Sequence, residues 1–391
     1  MDCTGAVVFL PRDNADEKPL LLEDLLFSPC AVWLTEALKS MGAVRFLAVC
    51  HPDDQELALA CFPPGTQWAA TGAPDTGDRL SAFLAECRGN VAVVTRPVLL
   101  TGGAPELLPA GRAAEENVGL ACISAKVLLE ALSNGENFSA ALGSRGQPVV
   151  GGVLPLRGGD PALWRSYQSR AHELEIHRLE ALGARFIDPS SCFSDPTVTV
   201  GRGTVILPGT ILRGRTTVGK NCRLGPYSVV RDCFLGDGVT VNASQLNEST
   251  VDENANIGPF AYLRPNCHVG AGVKVGDFVE LKNSVVGDGT KISHLTYVGD
   301  SDVGSRVNIG CGTVTVNYDG AAKYRTVIGD GAFIGCNTNL VAPVKVGNGA
   351  YTAAGSTVTQ EVPEDSLCIA RCPQVIKVQW AARRRKARGK K

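Results

Sequence analysis

Aliphatic residues recur every six positions through the second half of the chain. The pattern starts at Val200, Ile206, Leu212 and Val218, and with one-residue slips it continues to Val346. A period of six fits neither an amphipathic helix nor a strand with alternating faces. Six-residue repeats are typical of a parallel β-helix, in which the aliphatic side chains point inward and stack from coil to coil. The pattern therefore predicts a solenoid.

A glycine directly follows many of these aliphatic residues, as at Gly201, Gly219, Gly276, Gly287 and Gly335. Glycine adopts positive φ more readily than other residues, and tight turns need that conformation. We therefore expect these glycines to lie where the chain turns the corners of the coil.

The repeat is interrupted between Ile309 and Ile328 by the segment CGTVTVNYDGAAKYRTV. Because Asn, Asp and Gly favour turns, Asn-Tyr-Asp-Gly followed by Lys-Tyr-Arg predicts a loop that extends out of the solenoid. Insertions in solenoids often lie on the binding face. The loop is therefore a candidate binding segment, and a surface loop without a role is the alternative.

Residues 1–160 show apolar β-like runs that alternate with helix-like stretches. The β-like runs are 6–10, 44–49 and 91–94, and the helix-like stretches are 21–40, 79–87 and 123–132. This alternation predicts an α/β domain with a largely parallel sheet.

A helix is predicted over residues 161–183, where apolar residues recur at three- and four-residue spacing. Pro161 at its start and Gly183 at its end are typical of helix boundaries. The predicted organisation is an α/β domain (1–160), a linker helix (161–187), a β-helix (188–375) and a basic tail (376–391).

The composition limits the kind of partner that the chain can have. The formal net charge is −1 over 391 residues, which disfavours a globally basic nucleic-acid binder. No apolar run approaches the roughly 20 residues that span a bilayer. The N-terminus has no basic region and no small-residue cleavage site, so no signal peptide is expected. We expect neither a nucleic acid nor a membrane as a partner.

The 14 cysteines do not form a recognisable metal or disulfide pattern. The closest pair is Cys368 and Cys372, and no C-x-x-C occurs. A zinc site needs about four clustered ligands, so no metal site is expected. Free cysteines behave as small buried apolar residues, and a chain with many of them indicates the reducing cytoplasm.

The last nine residues, 383–391, read RRRKARGKK and are strongly basic, so the rest of the chain carries a negative net charge. Blocks of like charge usually form solvated tails. A cationic clamp over a phosphate-bearing ligand is the functional alternative that we favour over nucleic-acid binding.

Several segments of the solenoid together carry a family resemblance. They read GPFAYLRPNCHVG, VGDFVELKNSVVG, ISHLTYVGDSDVG, VNIGCGTVTVNYDGAAKYRTVIG and IGCNTNLVAPVKVGNGAYTAAGSTVT. They resemble the acetyltransferase half of the bifunctional N-acetylglucosamine-1-phosphate uridyltransferase / glucosamine-1-phosphate N-acetyltransferase family. The resemblance covers about residues 190–375. It implies a left-handed parallel β-helix, a homotrimer with sites at the subunit boundaries, and acetyl transfer from acetyl-CoA to the amine of glucosamine 1-phosphate.

The chemistry of acetyl transfer agrees with the residue types at the matching positions. An amine attacks only after it loses its ammonium proton, and histidine is the side chain best suited to take that proton near neutral pH. The resemblance makes His294, in SHLTY, the proton acceptor. Glu280, in FVELKN, matches an acidic residue near it and is expected to orient the imidazole.

A phosphorylated sugar requires cations, and arginine and lysine are the usual phosphate ligands. By the resemblance, the sugar-phosphate contacts are Arg264, Lys282, Tyr297, Asn308 and Lys323. The acetyl-CoA contacts implied in the same way are Cys311, Asn317, Tyr318, Cys336, Ala354 and Arg371. Cys311 stands where the family often has alanine, and Cys336 where it often has serine. We expect both positions to require a small side chain and neither thiol to act as a nucleophile in the transfer.

The first domain resembles the uridyltransferase domain of the family but departs from its motifs. The Gly-rich triphosphate loop is replaced by LPRDNAD at positions 10–16, which contains no glycine. The family's Pro-Lys pair reads Pro19-Leu20, and Arg96 stands near the position of the magnesium-binding aspartate. The resemblance therefore implies a shortened, nucleotidyltransferase-like domain that has lost its activity, and Mg²⁺ is expected only if that activity survives.

The hypothesis is an acetyltransferase that forms N-acetylglucosamine 1-phosphate for UDP-N-acetylglucosamine and peptidoglycan precursors. One alternative is a bifunctional enzyme that also forms UDP-N-acetylglucosamine from UTP. Another is a trimeric scaffold without catalysis. A β-helix carbonic anhydrase is disfavoured, because it needs three histidine ligands and the solenoid contains only His268 and His294.

Overall fold

The computed structural model describes residues 3–14, 17–102, 106–110 and 119–388. Positions 15 and 16 of the altered loop and positions 389–391 of the basic tail lie outside the described residues. The chain divides into two compact units, Met1–Cys233 and Phe234–Lys391. In the described part of the chain, no helix combines the length and the apolar character needed to cross a membrane.

The first unit contains a six-stranded sheet with apolar side chains on both faces. Its strands follow the order Gln67–Ala70, Arg45–Cys50, Cys3–Leu10, Asn90–Val94, Leu120–Ser124, Gln147–Pro148. The first four are parallel, and the last two are antiparallel to their neighbours. Helices cover both faces, which is why the strands read as continuous apolar runs. The predicted α/β layer with a largely parallel sheet is confirmed.

The remaining elements of this region are helices and short pairs of strands. The helices are Cys30–Ser40, Gln55–Ala60, Thr76–Glu86, Ala125–Ser133, Phe138–Arg145 and Pro161–Ala181, with 3₁₀ turns at Leu20–Leu22, Pro52–Asp54 and Pro189–Ser191. The antiparallel pairs are Val98–Leu100 with Val153–Pro155, and Asp24–Leu25 with Ser28–Pro29.

Two helix predictions need correction at their N-terminal ends. The helix predicted over 21–40 begins only at Cys30, because Pro29 occupies the N-cap in an extended conformation. Residues 123 and 124, predicted as helical, complete the strand Leu120–Ser124. The helix predicted over 161–183 is observed as Pro161–Ala181, and the Asp160 side chain caps its N-terminus.

The first coils of a β-helix belong to the first unit. Three rows of short parallel strands form them: Arg185–Phe186, Val205–Ile206 and Arg223–Leu224; Phe193–Ser194, Ile211–Arg213 and Val229–Arg231; Thr199–Val200 and Thr217–Val218.

The second unit continues the hexapeptide pattern on three faces. The first face consists of Thr240–Val241, Asn256–Ile257, Lys274–Asp277, Lys291–His294, Asn308–Ile309, Phe333–Ile334, Tyr351–Thr352 and Leu367–Cys368. The second face consists of Gln245–Asn247, Tyr262–Leu263, Glu280–Lys282, Tyr297–Gly299, Val314–Val316, Asn339–Val341 and Thr357–Val358. The third face consists of Phe234–Leu235, Thr250–Val251, His268–Val269, Val285–Val286, Ser301–Val303, Thr326–Ile328 and Val344–Val346.

The repeated aliphatic residues fill the interior of these coils, as the six-residue period predicts. Val251, Ile257, Leu263 and Val269 are fully buried. The strand pairs of the three faces are parallel, as the predicted β-helix requires. A helix at Trp380–Arg388 follows the coils and buries none of its side chains.

The glycines after the aliphatic residues have the predicted role only in part: Gly225 and Gly258 have positive φ, but most of the others do not. Gly276 and Gly287 do not have positive φ. A Cβ atom on Gly276 would lie 1.9 Å from the backbone oxygen of Ser293, and one on Gly287 would lie 2.7 Å from the carbonyl carbon of Gly304. These positions are therefore glycine because the next coil approaches closely, and the expectation of positive φ at them is wrong.

Positive φ occurs instead at a different position of each corner, and most of the residues there are not glycine. Examples are Phe278 (φ 54°), Leu295 (φ 42°) and Asn337 (φ 55°). Bulky residues rarely adopt this region. The coil therefore imposes the same bend at every corner whatever side chain the sequence supplies.

Candidate active site

One corner of the second unit carries five functionally interesting side chains in a row, which we call the corner column. Each member lies at the end of a first-face strand or two residues after it. Successive strands pair in register, so each member is stacked on the previous one: Asp277, His294, Cys311, Cys336 and Ala354. Each member is followed by a residue with positive φ, which marks the same bend in each coil. Neighbouring strands are about 4.8 Å apart, so the corner column is a straight row along the solenoid axis.

His294 and Asp277 form the head of the corner column and are hydrogen-bonded to each other. The imidazole Nδ1 pairs with Asp277 Oδ1, and since a carboxylate only accepts, Nδ1 carries the hydrogen. This bond holds the pKa of the Asp277 carboxyl below its ordinary value. The second ring nitrogen, Nε2, is then left with its lone pair, and the side chain of His294 is more than half exposed. His294 is therefore placed to accept a proton from a molecule in solution.

The carboxylate that orients the imidazole is Asp277, which the sequence analysis missed. Glu280, predicted for this task, accepts a hydrogen bond from Arg264 Nη1 at 3.0 Å instead. Asp277 precedes His294 by 17 residues, which is one coil, and occupies the same position in its repeat. Reading the hexapeptide register one coil back from His294 would have found it.

Replacing Asp277 and Glu280 separately distinguishes their roles. Asp277→Ala removes the only described partner of Nδ1, so we expect kcat to fall by about tenfold or more with little change in KM. Glu280→Gln frees Arg264, so we expect mainly a change in KM for the sugar phosphate. Asp277→Glu should restore part of kcat. Steady-state kinetics on the three variants tests this assignment, and equal losses of kcat in Asp277→Ala and Glu280→Gln would contradict it.

The second face carries the cations of the site directly beside the corner column. Arg264 and Lys282 occupy equivalent positions in neighbouring coils. Tyr297 pairs with Glu280 along the same face, and its hydroxyl lies 3.4 Å from Asn317 Nδ2. The sugar-phosphate residues predicted on this face are therefore grouped in three successive coils.

Lys282 is held by an almost buried carboxylate. Its ammonium lies 2.9 Å from Asp300 Oδ2, and the side chains are 18% and 7% exposed. The hydrogen bond to Asp300 raises the pKa of Lys282. Burial of Asp300 opposes its ionisation, but hydrogen bonds from Asn283, Lys282 and Asn317 outweigh it and lower the pKa of the carboxyl. Lys282 is therefore a charged and firmly positioned cation at neutral pH.

The extruded loop predicted from the sequence is a small hairpin. Tyr318 and Lys323 pair across it, and the Tyr324 N–H donates to the Asn317 carbonyl at 2.9 Å. The hairpin brings Lys323 next to Lys282. Lys323 therefore adds to the positive charge beside Arg264, as expected for a site that binds a phosphate.

The residues predicted to contact acetyl-CoA divide into two groups. Cys311, Cys336 and Ala354 form the first group and continue the corner column away from His294. Arg371 lies beside the far end of this column, because a Cβ atom built on Gly355 would lie 3.7 Å from its Cδ atom.

Asn317 and Tyr318 are engaged within the protein instead. Asn317 Nδ2 donates to Asp300, and the Tyr318 hydroxyl donates to the Gly320 carbonyl at 2.6 Å. Asn317 thus supports the Lys282–Asp300 pair in the structure. Asn308 is half-buried on the first face, in the coil after Lys291.

The altered loop of the first unit is arranged differently from a phosphate cradle. Arg12 forms two hydrogen bonds to Asp54, from Nε at 2.8 Å and from Nη2 at 2.9 Å. Asp54 is almost buried, so this pair fixes the guanidinium. The guanidinium of Arg12 therefore binds the Asp54 carboxylate of the same chain in the place where a phosphate-binding loop would hold a phosphate.

Two family models match the chain. One is described as the C-terminal domain of GMPPB and matches residues 245–319, which include the corner column from Asp277 to Cys311. The other is described as bacterial transferase hexapeptide (six repeats) and matches residues 197–232 and 325–360.

The chain is also similar to curated proteins named bifunctional protein GlmU. The protein from Clostridium botulinum (strain Kyoto / Type A2) is 44% identical over an alignment of 285 residues, which covers 68% of this chain and 62% of that protein. The protein from Brevibacillus brevis is 53% identical over 199 residues, 51% of this chain and 43% of that protein. Among solved structures, UDP-N-acetylglucosamine O-acyltransferase (LpxA) from Moraxella catarrhalis is 13% identical, with 52% of this chain and 76% of that chain covered at a TM-score of 0.30.

The chain spans about three fifths or less of the length of these GlmU relatives. The similarity nevertheless extends beyond the repeat, since 285 aligned residues exceed the length of the solenoid. The hexapeptide match and the parallel coils identify the same architecture independently. The chain is therefore a hexapeptide-repeat protein related to the bifunctional GlmU proteins.

Proposed function

We propose that the solenoid, residues 188–375, transfers the acetyl group of acetyl-CoA to the amine of glucosamine 1-phosphate. The observation that carries the proposal is the His294–Asp277 pair at the head of the corner column, with Arg264, Lys282 and Lys323 beside it. The base would remove a proton from the amine, the row of small residues would leave room for the acyl chain, and the cations would bind the phosphate.

In the proposed mechanism, His294 Nε2 removes a proton from the ammonium group of the sugar. The free amine attacks the thioester carbonyl carbon, the carbon–sulfur bond breaks, and the thiolate of coenzyme A leaves and is protonated. Asp277 accepts the Nδ1 hydrogen bond and stabilises the imidazolium that forms in the first step. Arg264, Lys282 and Lys323 bind the sugar phosphate and so position the amine.

The corner column supports the proposed path of the cofactor. Cys311, Cys336 and Ala354 leave room along the corner for an extended pantetheine arm that starts at His294. Arg371 lies at the far end, where the phosphates of coenzyme A would need a cation. In this proposal acetyl-CoA is a co-substrate, and no metal takes part in the transfer.

A homotrimer in the cytoplasm is part of the proposal. Phe260, Phe278 and Leu295 are each more than half exposed, and Phe260 stacks on Phe278 with ring centroids 5.5 Å apart. Phe278 directly follows Asp277 in the sequence, and Leu295 directly follows His294. Exposed apolar patches of this kind mark contact surfaces, so the patch supports a subunit contact beside the site.

A thiol-release assay with acetyl-CoA and a panel of amino sugars tests the proposed function. We expect turnover with glucosamine 1-phosphate, and far less with unphosphorylated glucosamine, because Arg264 and Lys282 would have no anion to bind. Glucosamine 6-phosphate tests the position of the phosphate. Absence of thiol release with every amino-sugar phosphate, together with no acetyl-CoA binding by calorimetry, would favour the scaffold alternative.

The first unit is proposed to lack uridyltransferase activity, since Arg12 is paired with Asp54 and the glycines of the loop are missing. Arg96 is exposed near the position expected for a magnesium ligand, and a cation there would repel Mg²⁺. Pyrophosphate release from UTP with N-acetylglucosamine 1-phosphate and Mg²⁺ would identify the bifunctional alternative instead.

A further inference from the structure

Two cysteines lie next to each other in the corner column. Ile309 pairs with Ile334, and Cys311 and Cys336 are each two residues further along their coils. The Asn337 N–H donates to the Cys311 carbonyl at 2.8 Å, which confirms that the two corners are stacked. The Cα atoms of stacked neighbours are about 4.8 Å apart, and this separation lies within the range that a disulfide can bridge.

The two thiols differ in access to solvent. Cys336 is exposed, Cys311 is half-buried, and both are free. The other exposed thiol among the described residues, Cys372, follows Arg371 and lies outside the corner column. An exposed thiol with a second thiol beside it is the arrangement found where one cysteine attacks a disulfide and its neighbour resolves the product.

We propose that Cys311 and Cys336 form a thiol–disulfide exchange site that the disulfide of coenzyme A oxidises. This inference rests on the proposed function, because the corner column would bind a coenzyme A moiety in both cases. The column holds the pantetheine arm of the oxidised molecule as it would hold that of acetyl-CoA, so the sulfur–sulfur bond lies at the His294 end of the column, next to Cys311.

The exchange has two balanced steps. The Cys311 thiolate attacks one sulfur of coenzyme A disulfide, a mixed disulfide forms, and one coenzyme A thiolate leaves and takes up the proton. The Cys336 thiolate then attacks the Cys311 sulfur, the Cys311–Cys336 disulfide forms, and the second coenzyme A leaves as a thiol. Two protein thiols are oxidised and one coenzyme A disulfide is reduced. The product bridges two coils on the proposed path of the cofactor and stops acetyl transfer until it is reduced.

The test is intact and peptide mass spectrometry of the full chain after incubation with coenzyme A disulfide. The wild type should acquire a Cys311–Cys336 disulfide and lose acetyl transfer, and dithiothreitol should restore both. Cys336→Ser should stop at the mixed disulfide and gain the mass of one coenzyme A. Cys311→Ser should remain unmodified at the corner column.

Cys372→Ser is the matched control, since it removes an exposed thiol outside the column. It should react as the wild type does, and excess acetyl-CoA should protect both proteins. Labelling of Cys372 in preference to Cys311, or labelling that acetyl-CoA does not slow, would overturn the proposal. Mass spectrometry reports the exchange even if the chain transfers no acetyl group, so failure of the proposed function and failure of the exchange are separate results.

Discussion

Replacing His294 by alanine is expected to lower acetyl transfer by about 10²- to 10⁴-fold, the usual contribution of a general base. The variant has no group left to take the ammonium proton, while Arg264 and Lys282 still bind the sugar phosphate. KM should therefore change little and kcat should account for the loss. Thiol release from acetyl-CoA with glucosamine 1-phosphate measures both quantities.

The chain provides a matched control for this substitution. His268 on the third face bonds Asp252 through Nε2 at 2.7 Å, and its side chain is also about half exposed. His268→Ala thus removes the same type of histidine–aspartate pair from the same solenoid, away from the corner column. Its turnover should equal that of the wild type. Unchanged turnover in His294→Ala, or equal losses in both variants, would refute the role of His294.

Replacing Lys282 by methionine is expected to destabilise the solenoid and to weaken binding of the sugar phosphate. It leaves the 7%-exposed carboxylate of Asp300 without its ion-pair partner. Breaking a fully buried pair costs about 3–5 kcal/mol, and the partial exposure of Lys282 reduces our expectation to about 2 kcal/mol. Urea unfolding measures this change, and KM for glucosamine 1-phosphate should rise about tenfold with the loss of one charge-assisted contact.

Lys345→Met is the control for the stability effect. Lys345 pairs with Glu361 at 3.4 Å, but both side chains are about 60% exposed. Exposed pairs contribute about 1 kcal/mol or less, so this variant should unfold nearly as the wild type does. If the two variants lose the same stability, the Lys282–Asp300 pair does not have the special role assigned to it.

The stability contributed by the Lys282–Asp300 pair should depend on pH at both extremes. The pKa of Asp300 is lower in the folded chain than in the unfolded chain, so its contribution is present above about pH 4 and is lost as the pH falls below that value. The pKa of Lys282 is raised, so its contribution is present below about pH 10 and is lost as the pH rises through the raised value. The contribution of these two groups to the free energy of unfolding of the wild type, measured by urea unfolding across the pH range, should therefore be constant between these limits and shrink beyond them.

The solenoid could be predicted from the sequence because one physical constraint repeats many times. Every coil must bury an aliphatic residue at the same position, so Val251, Ile257 and Leu263 each indicate the solenoid independently. The reason for the glycines was not predictable in this way. The space at Gly276 depends on how closely the backbone of Ser293 approaches, and that distance is set by the stacking of coils.

The partners of the charged side chains were also beyond the sequence pattern. Glu280 was expected to be the partner of His294 because it matches an acidic residue of the family. In a solenoid, however, a residue's neighbours are the residues one coil away, so Asp277 reaches His294 and Glu280 reaches Arg264. Asp300 was missed for a related reason, since its burial arises only when Asn283 and Asn317 close over it from the adjacent coils.

The hairpin between Asn317 and Tyr324 changes the number of residues in its coil but not the position of the corner column. His294 and Cys311 are 17 positions apart, whereas Cys311 and Cys336 are 25 apart, yet Asn308 pairs with Phe333 as Lys291 pairs with Asn308. The excess is confined to the outward loop. The length and sequence of this loop can therefore change, through evolution or engineering, without any shift of His294 or of the other members of the corner column.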